Sequence, residues 1–185
     1  MKAFFRRSLS LLLVLALFCA LVPSSVFASQ SVEKGALKIG IISDLHYYSP
    51  ENIDDMAECE RVCRQTMSTT YMADAILFSG LASLKDKINK GEIDCVIIPG
   101  DLTRNGDLVS MKKLGRILEN FETDTGVSVY VINGNHDINN HHAEVFQGGD
   151  FRKTNSCTTA AQFREIFKNL GYDKAVKTFT PPKGE

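Results

Sequence analysis

Three short apolar runs in this chain each end at a turn residue and are followed at once by side chains that donate oxygen or nitrogen. The first is Ile39-Gly40-Ile41-Ile42-Ser43-Asp44-Leu45-His46, the second Val96-Ile97-Ile98-Pro99-Gly100-Asp101, and the third Val131-Ile132-Asn133-Gly134-Asn135-His136-Asp137. A near-continuous apolar run bounded by turn signals predicts a strand covered on both faces of a parallel sheet. Parallel neighbours need a crossover of a dozen residues or more, and both intervals between the runs exceed that. The predicted order is therefore strand, helix, strand, helix, strand, an α/β arrangement. Ligands of such sheets bind beyond the carboxyl ends of the strands. Sequence positions 44, 101 and 135 thereby become one place in space.

The intervening segments read as follows. Ser49-Pro50 predicts a helix start, with serine as cap and proline at the first helical position. Residues 54 to 72 are polar and loosely periodic and predict a helix or helix-like excursion. Ala73, Ile76, Leu77, Gly80, Leu81, Leu84 and Ile88 fall on one helical face, with Gly91 as the stop. Asp107 predicts the cap of a further helix with the stripe Leu108, Met111, Leu114, Leu118 and Phe121, and Thr125-Gly126 turns the chain into the third strand. Beyond Asp137, Gln147-Gly148-Gly149-Asp150 predicts a turn. Thr159-Ala160-Ala161-Gln162 is a capping-box pattern, opening a helix through Leu170 that closes at Gly171. Met67 and Met72 are expected to serve packing.

The first 28 residues stand apart. Lys2, Arg6 and Arg7 precede the apolar stretch Leu9 to Val22, and Val26-Phe27-Ala28 offers small residues for cleavage after Ala28. That pattern predicts a secretory signal peptide and an exported product, secreted or held in the cell envelope. The apolar stretch is short beside the roughly 20 residues a bilayer span needs. An uncleaved anchor, giving an envelope-bound interaction protein, is the competing reading. Residues 29–36 read as a polar leader, 37–180 as the folded domain, and 181–185 as the end of a truncated chain. Without the leader the chain holds 18 Lys+Arg against 22 Asp+Glu, a net of about −4. No basic run remains, so binding to nucleic acid by bulk charge is not expected.

Cys59, Cys63, Cys95 and Cys157 survive cleavage. Cys59 and Cys63 share a helix face, a spacing open to metal ligation, but no second Cys/His pair completes a zinc pattern. They read mainly as structural or free thiols, and Cys95 as a small hydrophobe in its strand.

The donor types carry the chemistry. Carboxylate oxygen, imidazole nitrogen and amide oxygen suit Mn²⁺, Fe²⁺ or Zn²⁺. A carboxylate can bridge two such ions, and two ions about 3.5–4 Å apart clamp a phosphoryl group. The three motifs Asp44-x-His46, Gly100-Asp101-x-x-x-x-Gly106 and Gly134-Asn135-His136-Asp137, in this order, resemble the calcineurin-like metallophosphoesterase family over Leu37 to Asp137. The Tyr47-Tyr48-Ser49-Pro50 run and Gly171-Tyr172-Asp173 look like a secreted bacterial branch of it.

The resemblance implies hydrolysis of a phosphomonoester or phosphodiester by a hydroxide bridging two divalent ions. It implies Asp44 and His46 on one ion, Asp101 shared by both, and Asn135 on the second. His136 would be the general acid, oriented by Asp137, with Arg104 or Asn105 near a phosphate oxygen. The fold it implies is the N-terminal half of a four-layer α/β/β/α sandwich, with a βαβαβ parallel sheet and the second sheet missing. The family's later GH and GHxH motifs have no match here. After His136 the histidines are His141 and His142, which read as solvated loop or, alternatively, as substitutes for the lost ligands. The chain is accordingly expected to be an N-terminal fragment, with a non-catalytic metal-binding remnant as the alternative function.

Overall fold

The computed structural model describes residues 35–179. The leader 1–28, most of 29–36, and the end 181–185 lie outside the described residues.

Strands β1 (Ile39–Ile41), β2 (Cys95–Pro99) and β3 (Val129–Ile132) form a parallel sheet in sequential order. Gly40 is level with Val96, Val96 with Val129, and Ile98 with Val131. Those residues share one face, and all are buried. Helices α1 (Met56–Gln65), α2 (Ala73–Asn89), α3 (Leu108–Thr125) and α4 (Ala160–Ile166) complete the main elements. Leu77, Leu81 and Leu84 of α2, Met111, Leu114 and Leu118 of α3, and Phe163 of α4 join Val96, Ile98, Val129 and Val131 in one core. Gly40 lets that layer come close: a Cβ there would stand 3.1 Å from Ile93 Cδ1 and 3.6 Å from Leu84 Cδ2.

The expectation of a sheet covered on both faces is not met among the described residues. The opposite face carries Ile39, Ile41, Tyr130 and Ile132, exposed at 45%, 66%, 38% and 55%. Apolar composition marks both faces of these strands. Cover exists for one.

The helix caps follow the sequence closely. Asp107 caps α3 by accepting from Ser110 N at 2.7 Å, and Gly126 (φ 67°) ends it in the left-handed conformation. Thr159 and Gln162 form the reciprocal capping box of α4. Three local expectations are corrected. Ser49-Pro50 opens only one 3₁₀ turn, Pro50–Asn52, because the Asn52 amide is drawn to Asp107 Oδ1 at 2.6 Å and Ile53 bridges to Phe146. The excursion that follows is α1 and a second short turn, Thr70–Met72. The last helix stops at Ile166 and gives way to a wide turn over Lys168–Tyr172.

An element absent from the sequence reading is the antiparallel hairpin β4 (Glu144–Gln147) and β5 (Asp150–Lys153), joined by the anticipated Gly148-Gly149 turn. Phe146 packs with Cys59 and Cys63 of α1 in a second small core, with Phe151 and Tyr71 against it. Both cysteines are buried and free. Burial pushes the Cys59 thiol up to about 12, with the neighbouring Cys63 adding to the shift. Cys95 is half-exposed, level with Ile39 on the open face of the sheet.

Candidate metal centre

The three strands end side by side, and the loops beyond them continue to pair. His46 N donates to the Asp101 carbonyl and Tyr47 N to the Leu102 carbonyl, each at 3.0 Å. Arg104 N returns the bond to the Tyr47 carbonyl, also at 3.0 Å. This short extension of β-like pairing sets the Asp44–His46 loop against the Asp101 loop. Ligand atoms of Asp44, His46 and Asp101 consequently lie within 4.8 Å of one another. Two carboxylates and an imidazole converging at that separation fit a divalent cation of the Mn²⁺, Fe²⁺ or Zn²⁺ type.

The backbone supports the assignment independently. Asp44, His46 and Asp101 sit at φ 55°, 41° and 48°. Non-glycine residues rarely adopt that region, it costs energy, and such strain concentrates at functional sites. All three ligands of one cluster share it.

The glycines of the motifs are explained by how closely the loops meet. A Cβ on Gly100 (φ 95°) would fall 2.9 Å from Cα and N of Gly134. One on Gly134 would overlap Asp101 Oδ1 outright. One on Gly106 would fall 2.7 Å from the Asp137 carbonyl. The Asp101 loop and the Asn135 loop thus touch backbone to backbone at three points. His136 N donates to Asp101 Oδ1 at 3.0 Å, so the Asp101 carboxylate is held from the Asn135 side as well. Asn135 itself is exposed, between the two residues that contact Asp101.

His136 is half-buried, and its ring meets that of His46 edge-on with centroids 4.8 Å apart. Its Nδ1 lies 2.7 Å from the Arg104 carbonyl. A carbonyl only accepts, so Nδ1 carries hydrogen and Nε2 is the nitrogen free to exchange a proton.

Asp137 does not orient this ring. It is fully buried, and both oxygens are taken. Oδ1 accepts from Thr103 N at 2.9 Å and Thr103 Oγ1 at 3.1 Å. Oδ2 accepts from Gly134 N at 2.8 Å and Leu102 N at 3.1 Å. Its carboxylate staples the two ligand loops together, and the Arg104 carbonyl is the group that aims His136.

Arg104 and Asn105 are also redirected. The Arg104 guanidinium pairs with Glu144 at 2.7 Å and lies 4.2 Å above the Phe151 ring, while Asn105 Nδ2 donates to Glu144 Oε1 at 3.2 Å. Both side chains tie the loop to the hairpin. His141 and His142 are exposed and stand outside the cluster formed by the described residues.

The Tyr47-Tyr48-Ser49 run, noted in the sequence, fixes the Asp44–His46 loop through contacts that the sequence does not announce. The buried Tyr47 hydroxyl donates to Asp74 at 2.6 Å, Ser49 N donates to Ser110 Oγ at 2.8 Å, and Tyr48 lies edge-on to Phe151. All three consecutive residues are buried directly after the Asp44-x-His46 motif.

The fold is thus an α/β domain with carboxylate and imidazole donors gathered at parallel strand ends as a candidate divalent-cation site. A profile of the calcineurin-like phosphoesterase family matches residues 37–184, and the chain belongs to that family. It is also similar to a curated protein of Ruthia magnifica subsp. Calyptogena magnifica named "Probable cyclic nucleotide phosphodiesterase". The two are 38% identical over 66 residues, which is 36% of this chain and 26% of the relative, so the chain spans about a quarter of that relative's length.

Proposed function

We propose that this chain carries the metal-binding and proton-donating face of a metal-dependent phosphoesterase acting on a phosphomonoester or phosphodiester. The observation that carries the proposal is the convergence of Asp44, His46 and Asp101 within 4.8 Å. Bound divalent ions would supply Lewis acidity toward the phosphoryl oxygens and activate water for attack on phosphorus.

The chain's own groups have these parts. Asp44 and His46 would hold one ion, Asp101 would serve both ions, and Asn135 would offer its amide oxygen to the second. His136, aimed by the Nδ1 contact to the Arg104 carbonyl, would as an imidazolium give its Nε2 proton to the departing alcohol oxygen and become the neutral ring. The Mn²⁺, Fe²⁺ or Zn²⁺ choice is left open by the donors. The printed name of the relative makes a nucleotide phosphodiester the first substrate to assay.

Hydrolysis supported by Mn²⁺ is the test. Asp101→Ala should abolish it, and His136→Ala should lower kcat by about 10²–10⁴-fold. Equal rates for wild type and Asp101→Ala would sink the reading.

A second reading is a metal-binding domain without turnover. It is favoured by the three-residue donor set and by His141 and His142 standing outside it. Calorimetric Mn²⁺ titration showing binding, with no hydrolysis of any ester, supports this reading. Turnover lost in His136→Ala counts against it.

Export is inferred from the basic, apolar and small-residue succession of residues 1–28. N-terminal sequencing of the exported product should begin at Ser29, and an intact Met1 would reject cleavage. Among the described residues no helix is long and apolar enough to cross a membrane.

A further inference from the structure

Beside the Asp44–His46 loop lies a cleft of about 500 Å³, within the range of small-molecule sites. Asp44, Leu45, His46 and Arg104 line it together with the Met67–Thr70 turn, Ala73 and Ile76. That turn belongs to the long excursion between β1 and β2, and it begins at Met67.

Met67 was expected to pack, yet it is 93% exposed. It also holds φ 54°. The backbone reason is local. Ser68 N closes onto the Cys63 carbonyl at 2.8 Å, the bond of a helix end whose left-handed position glycine usually fills. That accounts for the conformation but not for the side chain. A methionine there bears the strain of a β-carbon and leaves a thioether in water.

The cleft lining is mixed. Met67, Leu45, Ala73 and the half-open Ile76 supply apolar surface. Ser68 and Thr70, whose hydroxyls are 2.8 Å apart, supply polar groups with the exposed Thr69, and Arg104 adds a guanidinium. A thioether is polarizable and favours contact with aromatic rings.

We propose that the Met67–Thr70 turn is the specificity wall of the site and receives the alcohol portion of a phosphate ester. The proposal rests on the phosphoesterase reading above. The occupant it fits carries a flat ring against Met67 and Ile76 and polar edges toward Ser68, Thr69 and Thr70, as a nucleoside does. A short polyol would leave the apolar surface of Met67 and Ile76 uncovered.

The test uses equilibrium binding, so it stands whether or not turnover is seen. Mn²⁺ is bound first and followed by calorimetry, and adenosine monophosphate and glycerol 3-phosphate are then titrated separately. Wild type should prefer the nucleotide by about fivefold or more, the size of a single sulfur–ring contact. Met67→Gly should reduce the preference below about twofold while leaving glycerol 3-phosphate affinity unchanged. Glycine suits the left-handed position, so loss of folding is not a competing explanation. An unchanged preference in Met67→Gly, or none in wild type, overturns the wall and leaves the metal centre standing. Failure to bind Mn²⁺ overturns the metal-centre reading and the wall with it.

Discussion

Asp137 makes four hydrogen bonds with two oxygens, every one from a group that can only donate in that geometry or is turned to do so. Asparagine has the same shape, but either placement of its amide sets an NH₂ against two donors. Asp137→Asn should therefore cost about 2–4 kcal/mol, the loss of buried acceptors for groups that have no alternative. For a chain of this size that lowers Tm by roughly 5–15 °C. Calorimetric melting checks it. An unchanged Tm with reduced turnover would instead return Asp137 to an orienting role at His136. Gly134 gives the complementary case. Its conformation tolerates alanine, but the added Cβ overlaps the Asp101 carboxylate. Gly134→Ala should weaken Mn²⁺ binding by about tenfold or more, comparable with losing a partner that positions a ligand. Titration of the variant decides, and wild-type affinity would mean that Asp101 is free to move aside.

At the level of elements, neighbouring residues of β3 separate the two sides of the sheet. Val131 points into the helix layer and is 4% exposed, while Ile132 points away at 55%. Val131→Ala should cost about 2 kcal/mol through lost burial and the space left behind. Ile132→Ala should fall within about 0.5 kcal/mol, as exposed positions do. Denaturant melts of the pair test whether the open face is open in solution. Equal costs would show that something covers it. The strands were legible because their information is local: an apolar run, a turn residue, then donors. The helices from Ala73 and Leu108 were legible from period and cap. The hairpin was not, because Glu144–Gln147 and Asp150–Lys153 show little apolar alternation. It is held by Phe146 and Phe151 against α1, contacts that no window of sequence contains. The premature end of the Ser49-Pro50 helix has the same cause, since Asn52 answers to Asp107 and Ser110 more than fifty residues away.

For the molecule as a whole, the ligand triad was legible and its fastening was not. Adjacency in sequence paired His136 with Asp137, but consecutive loop residues diverge, one toward the Arg104 carbonyl and one into the interior. The Asp44–His46 loop is fastened by two tyrosines that reach different parts of the fold. Tyr47 reaches Asp74 at the start of α2, and Tyr48 reaches the hairpin through the Glu144 carbonyl at 3.3 Å. Burial pushes both phenols well above their ordinary value of 10, with the Asp74 carboxylate adding to the shift of Tyr47 and the Asp107 charge to that of Tyr48. A folded-state value above the unfolded one means that the native state holds its proton longer. The resulting stabilisation is fully present below about pH 10 and is lost as pH rises toward the folded values. The fold should therefore give way in strong base, with the site loop released from α2 and the hairpin together. Phenolate absorbance followed against pH should show Tyr47 and Tyr48 appearing in one step that coincides with loss of helical circular dichroism. Tyr47→Phe should keep the ring but lose the Asp74 bond, lowering stability by about 0.5–1.5 kcal/mol at neutral pH. Ionisation of Tyr47 and Tyr48 near pH 10, with the helical signal intact, would show that the two anchors are open to solvent and that the loop bearing Asp44 and His46 is held by its backbone pairing alone.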